Sequence, residues 1–259
     1  MRRRPAVVIP LVAAGALLLA ACGGSSSGGD ASPGGPSGEI TVLAAASLTG
    51  SFQTLGTQFQ EANPGTTVTF SFGASSALVT QIAQGAPADV FASASQKNMD
   101  AVVAAGAATT STPFAENVME IAVPPTNPGE VTRLADLAKP GVTVALCQAE
   151  VPCGAAAAKV FANAKITVKP VTEEADVKAT LAKVRLGEVD AGVVYVTDVI
   201  AAGDSVKGIE IPADVNASTT YPIAPLTTSR NAALAQAFVD YVLSAEGQEV
   251  LTAAGFQAP

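Results

Sequence analysis

The chain has no histidine and no tryptophan, only three cysteines, and aromatic residues at just 5% of its 259 positions. Without histidine there is no general base for a Ser-His-Asp triad and no imidazole to ligate a metal. No G-x-S-x-G elbow sits between a strand and a helix, and Lys97 and Lys178, which a serine–lysine hydrolase could recruit, read as solvated helix residues. The 22 acidic residues leave a two-carboxylate glycosidase open by composition, but the missing tryptophan removes a common sugar-stacking side chain. Basic residues are scarce too. Taking Arg2, Arg3 and Arg4 from the 14 basic residues leaves 11 against 22 acids, a net charge of −11. Phosphate backbones are held by Lys and Arg, so that balance excludes a nucleic-acid partner, and it excludes anion capture by long-range attraction.

The three N-terminal arginines precede an apolar run from Pro5 to Ala21, the charged and hydrophobic regions of a secretory signal over residues 1–21. Pro10 and Gly15 interrupt the run and a Gly/Ser tract follows it, where a membrane anchor would carry stop-transfer charges. Leu19-Ala20-Ala21-Cys22 resembles a bacterial lipobox, which implies lipidation of Cys22. At about 0.8 kcal/mol per buried methylene, two or three acyl chains hold a protein on the outer face of the cytoplasmic membrane. Residues 22–38 are rich in Gly, Ser and Pro and are expected to act as a flexible tether. About 220 residues follow, enough for one large domain or two lobes.

With Cys22 assigned to lipid, Cys147 and Cys153 form a pair flanking a short loop. Outside the cytoplasm such a pair is expected to be a disulfide, with two free thiols as the alternative. A metal site fails for want of further ligands. The disulfide would stiffen the loop more than it would stabilise the whole fold.

Strand and helix patterns alternate along the rest of the chain, which predicts an α/β fold with mainly parallel sheets. The apolar run at 40–46 ends at Ser47, and Phe52, Leu55 and Phe59 follow at helical spacing. Val68, Phe70 and Phe72 alternate with polar residues, and Ser75 opens the next helix. In open α/β sheets ligands collect where strands turn into helices. That rule nominates Ser47, Ser75, the Cys153-Gly154 turn, the helix start at Val177, and Tyr195 at the end of the strand 191–195. A helix start offers unpaired N–H donors and about half a positive charge, so several facing one cleft make an anion site without a cation. Each nominee has a plainer role as well. Either serine could be a helix N-cap, Val177 a core residue, and Tyr195 a core aromatic.

The segments at 41–49 (T-V-L-A-A-A-S-L-T), 72–78 (F-G-A-S-S-A-L), 85–94 (G-A-P-A-D-V-F-A-S-A), 151–154 (V-P-C-G), 176–178 (D-V-K) and 192–195 (G-V-V-Y) together resemble the periplasmic molybdate-binding proteins. These are the substrate-capturing subunits of molybdate ABC transporters. The resemblance implies a two-lobed type II periplasmic-binding-protein fold with the ligand cleft between lobes. Lobe 1 would comprise residues 39–118 plus 221–259, and lobe 2 residues 119–220, with crossings near Val118 and Tyr221. It implies a non-enzymatic, monomeric protein without cofactor, whose ligand is molybdate and also tungstate, and whose partners are an ABC permease with its ATPase. The implied ligand contacts are the hydroxyls and backbone N–H groups of Ser47 and Ser75, the backbone N–H groups of Cys153 and Val177, and the phenol of Tyr195. The family usually has alanine where Cys153 stands, a change that a backbone donor tolerates.

A fully deprotonated oxyanion offers only acceptors, so a site of neutral donors suits it, and the metal is bound only as the oxyanion. Burying a dianion without a countercharge is costly unless every oxygen is paired, so both lobes must close on it. The alternatives are a binding protein for another oxyanion such as sulfate or another solute, or an exported hydrolase.

Overall fold

The computed structural model describes residues 36–259. The expected signal segment 1–21, the lipidation site Cys22 and the tether as far as residue 35 lie outside the described residues. No helix among the described residues is long and apolar enough to cross a membrane.

The chain opens with β1 (Gly38–Ala45), whose last four residues are all buried, as expected of a strand covered on both faces. It starts at Gly38, and the side-chain amide of Asn231 donates to the Ser37 carbonyl at 2.9 Å, so the last two residues of the expected tether, Ser37 and Gly38, are held against the fold. A single 3-10 turn (Ala46–Leu48) then feeds α1 (Thr49–Ala62), which buries Phe52, Leu55 and Phe59 along one stripe. β2 (Thr66–Gly73), α2 (Ser75–Ala83), β3 (Val90–Ala92) and α3 (Gln96–Ala104) follow, with β2 and β3 both parallel to β1. The long strand β4 (Thr112–Val123) leads to β5 (Val144–Cys147), α4 (Pro152–Ala164), β6 (Thr172–Glu174) and α5 (Val177–Arg185). β7 (Ala191–Tyr195), α6 (Val196–Ala202), β8 (Lys207–Glu210), β9 (Ser218–Pro225), α7 (Ala232–Leu243) and α8 (Ala245–Ala253) complete the fold.

The strands join in the order β2-β1-β3-β9-β4-β7-β5-β6, with β8 also on β4. The expectation of mainly parallel sheets holds at the two ends of this path. In its middle β9 and β4 run antiparallel to their neighbours. β4 is long enough to change partners, pairing with β9 through Val118 and with β7 and β8 from Met119 onward. β9 was invisible to the hydrophobic pattern because its first half is Ser218-Thr219-Thr220, and β8 because it is short and exposed.

The buried hydrophobics form separate clusters on either side of this crossing. One draws almost entirely on residues 119–217, around Val144, Val160 and Val193. A second joins the segments before and after that stretch through aromatic side chains, with Phe59 and Phe238 meeting edge to face at 5.4 Å between ring centroids. A third packs Leu43, Leu78, Phe91 and Met99 beneath α2 and α3. Each fully buried Leu or Phe contributes about 1.5–3 kcal/mol, so each cluster holds its own set of strands and helices together.

Candidate ligand-binding site

Four entries into helices converge on one cavity: the 3-10 turn before α1, and the starts of α2, α4 and α5. The cavity measures about 20 Å³ and is lined by Ser47, Ser75, Cys153, Val177 and Tyr195, so all five nominated residues meet there. One ordered water requires ~10–15 Å³, so the space suits a compact ion and not a sugar or peptide. No lysine or arginine among the described residues lines it. The first turns of α2, α4 and α5 bring their N-terminal partial positive charges to it.

Neither serine acts as a helix cap. The N-cap of α1 is Leu48 and that of α2 is Ala74, and neither makes a side-chain cap bond. The Ser47 Oγ instead lies 2.9 Å from the Tyr221 hydroxyl, both atoms buried. Ser75, fully buried at the first position of α2, accepts the backbone N–H of Ala94 at 2.9 Å on its Oγ. With that oxygen engaged from behind, the Ser75 proton is left to donate into the cavity.

Cys153 sits in the first turn of α4, where Pro152 takes a position whose N–H has no helical partner in any case. A disulfide joins Cys153 to Cys147 at the end of β5. The loop between them folds directly against the helix. A Cβ on Gly154 would run into the Gln148 carbonyl and come within 2.8 Å of the Cys147 carbonyl, so only glycine fits. The Cys147 Sγ also lies 3.3 Å from Thr180 Oγ1, tying the loop to α5.

Val177 opens α5 behind Asp176, whose Oδ1 accepts the Ala179 N–H at 2.9 Å. Asp176 also lines the cavity, a carboxylate that sequence reasoning missed as a wall residue. Its N-cap bond turns one carboxylate oxygen to the backbone of α5. Lys178, expected to be a solvated helix residue, lies on α5 with 34% of its side chain in water, and its Nζ pairs with Asp198 at 2.8 Å.

Tyr195 ends β7 with 1% of its surface exposed, and its hydroxyl has no hydrogen-bond partner among the described residues. Burial pushes its pKa up, so the phenol stays protonated and able to donate. An unpaired buried hydroxyl costs on the order of 1–3 kcal/mol, a penalty that an acceptor in the cavity would relieve. The Asp198 Oδ2 accepts the Tyr195 N–H at 3.2 Å and fixes the end of the strand. Among the described residues no group of three or more His, Cys, Asp or Glu could hold a metal ion directly.

Sequence reasoning also missed what stands behind Ser47. Tyr221 was marked only as a crossing position and Asn117 not at all, since their roles depend on a pairing of β4 with β9 that local pattern does not reveal.

Residues 40–257 match the family of bacterial extracellular solute-binding proteins. The molybdate-binding protein ModA of Mycobacterium tuberculosis (strain ATCC 25618 / H37Rv) is 42% identical over 233 residues, covering 88% of this chain and 89% of its own length. ModA of Escherichia coli (strain K12) is 34% identical over 234 residues, with 85% and 89% covered. Among solved structures, the periplasmic molybdate-binding protein of Azotobacter vinelandii superposes with a TM-score of 0.76 at 22% identity, covering 85% of this chain and 99% of that one.

Proposed function

The chain belongs to the bacterial extracellular solute-binding proteins and within them to the ModA molybdate-binding proteins, and on that premise we propose that it captures molybdate for an ABC importer. As a member of that family it is a solute-binding protein of the two-lobed periplasmic-binding fold and not an enzyme, and an oxyanion would be its cargo and not a cofactor. Tungstate, a tetrahedral dianion of nearly the same size, is taken as well. The protein works outside the cytoplasmic membrane, held there by lipid on Cys22, and passes the ion to a permease with its ATPase.

The observation that carries this reading is the donor character of the cavity. Ser75 has its oxygen engaged by the Ala94 N–H, and Tyr195 has a buried hydroxyl with no partner among the described residues. Around them stand the first turns of three helices and no cationic side chain. Such a wall satisfies an ion that only accepts, and bonds to an ionised acceptor are shorter and stronger than neutral ones. The ligand contacts are Ser47 and Ser75 through hydroxyl and backbone N–H, Cys153 and Val177 through backbone N–H, and Tyr195 through its phenol.

The lobes are residues 39–118 plus 221–259 and residues 119–220. The core clusters on either side of the β4 partner change support this division. Ser47 and Ser75 then belong to one lobe and Cys153, Val177 and Tyr195 to the other. The ion holds the closed arrangement by bonding to both.

Titration calorimetry with molybdate, tungstate, sulfate and phosphate tests the reading. One-to-one binding of molybdate and tungstate with sulfate and phosphate silent is the expected result. Sulfate binding as tightly as molybdate would overturn the assignment of the ion, and silence from all four would overturn oxyanion capture.

A further inference from the structure

Behind Ser47, two side chains determine where its hydroxyl proton points. The Tyr221 hydroxyl, on β9, lies 2.9 Å from Ser47 Oγ. Asn117, on β4, places its Nδ2 2.8 Å from Thr197 Oγ1 and 3.5 Å from the same Tyr221 oxygen. The Asn117 Oδ1 accepts the Val118 N–H at 3.1 Å, which fixes the amide with its nitrogen toward Tyr221.

The protons can then be counted outward. An amide nitrogen only donates, so the Tyr221 oxygen accepts from Asn117. Tyr221 has one proton, and the oxygen it faces is Ser47 Oγ. The Ser47 oxygen therefore accepts, and its own proton is left for the cavity that Ser47 lines. Tyr221 cannot easily turn away. Its ring is fully buried and packed edge to face against Phe256 at 5.3 Å, Tyr195 at 6.1 Å and Phe114 at 6.2 Å. Burial also pushes its pKa well up, so it keeps the proton it donates.

We propose that Tyr221, oriented by Asn117, is a positioning residue for specificity: it holds Ser47 as a donor, so that the site accepts a fully deprotonated oxyanion and rejects one that carries a proton. This rests on reading the cavity as an oxyanion site. Ser75 is held as a donor in the same way by the Ala94 backbone, so both serines of the cavity face the ion with protons. A protonated oxyanion needs at least one acceptor, whereas each serine oxygen already accepts one bond and so presents its proton to the cavity.

The test is a double-mutant cycle on the full-length protein, with molybdate and inorganic phosphate as probes at neutral pH, where every phosphate ion carries at least one proton. Tyr221→Phe keeps the ring and removes only the donor. It is expected to weaken molybdate about tenfold in the native background, and by less than about twofold where Ser47 is already alanine. The ratio of molybdate to phosphate affinity should narrow in Tyr221→Phe, an effect that a merely structural role would not produce. Asn117→Asp is the second variant. Its carboxylate would draw the Tyr221 proton away from Ser47, and the same loss is expected with the same dependence on Ser47. Equal losses in both backgrounds, or an unchanged ratio, would overturn the relay while leaving the site intact. If Ser47→Ala alone leaves molybdate affinity unaltered, the site reading itself fails and the relay falls with it.

Discussion

The Lys178 ammonium lies 2.8 Å from the Oδ1 of Asp198, joining the first turn of α5 to the first turn of α6 directly after the cavity residues Val177 and Tyr195. It also holds Asp198, whose other oxygen fixes the Tyr195 backbone.

Breaking that pair should cost stability in a pH-dependent way. Asp198 is fully buried, and burial raises its pKa against the opposing pull of Lys178. A carboxyl with a raised folded-state pKa is unfavourable to folding when ionised, and the penalty fades as pH falls toward that pKa. Lys178→Met leaves the charge unpaired. Lys178 keeps 34% of its side chain in water, so we expect a loss of about 2–3 kcal/mol at neutral pH, below that of a fully buried pair. Urea unfolding should show the deficit shrinking as pH is lowered, and a deficit independent of pH would contradict the assignment.

Ser75→Ala should damage binding and folding together. Loss of one bond to a charged ligand weakens molybdate by about 1.5–3 kcal/mol, and the buried Ala94 N–H left without its acceptor costs about 1–3 kcal/mol of stability. Calorimetry and thermal melting read the two losses separately. A variant with native affinity would place Ser75 outside the ligand shell.

Gly154→Ala tests the close approach beneath Cys153. The added methyl meets the Gln148 carbonyl and the Cys147 carbonyl, backbone atoms held in the disulfide loop, so the first turn of α4 must move outward. Overpacking of this kind costs about 1–3 kcal/mol. Because Cys153 would be displaced with the turn, affinity for molybdate should fall as well. An unchanged melting temperature and affinity would show that the loop yields without effect.

Ser47, Ser75, Cys153, Val177 and Tyr195 could be nominated from the sequence because each lies at a point where local pattern changes, and the structure brings all five to one cavity. The choice between cap and ligand was not legible for the serines. It depends on Tyr221 and Ala94, which approach Ser47 and Ser75 only through tertiary pairing. Sequence likewise showed only residues 120–123 of β4, since the polar Glu116 and Asn117 break the apolar run where the strand passes between partners. Local sequence could not reveal that Asp176 caps α5 or that Asp198 is buried against Lys178.

Asp136 supplies the opposite pH signature to Asp198. Its side chain is almost wholly buried and accepts from Lys139 Nζ at 2.9 Å, from the Thr132 N–H and hydroxyl at 2.9 Å each, and from the Arg133 N–H at 3.2 Å. Lys139 first, then the Thr132 bonds, hold its pKa well below the ordinary 3.8. A depressed folded-state pKa gives stability that is present in full above the unfolded value and is lost as pH falls below it. Asp136→Asn removes the titrating group. The stability gap between native protein and variant should therefore be constant near neutrality and close as pH drops from about 5 toward 1, read by urea unfolding at each pH. A gap that stays open into strong acid would mean that Asp136 acts by packing and not by charge.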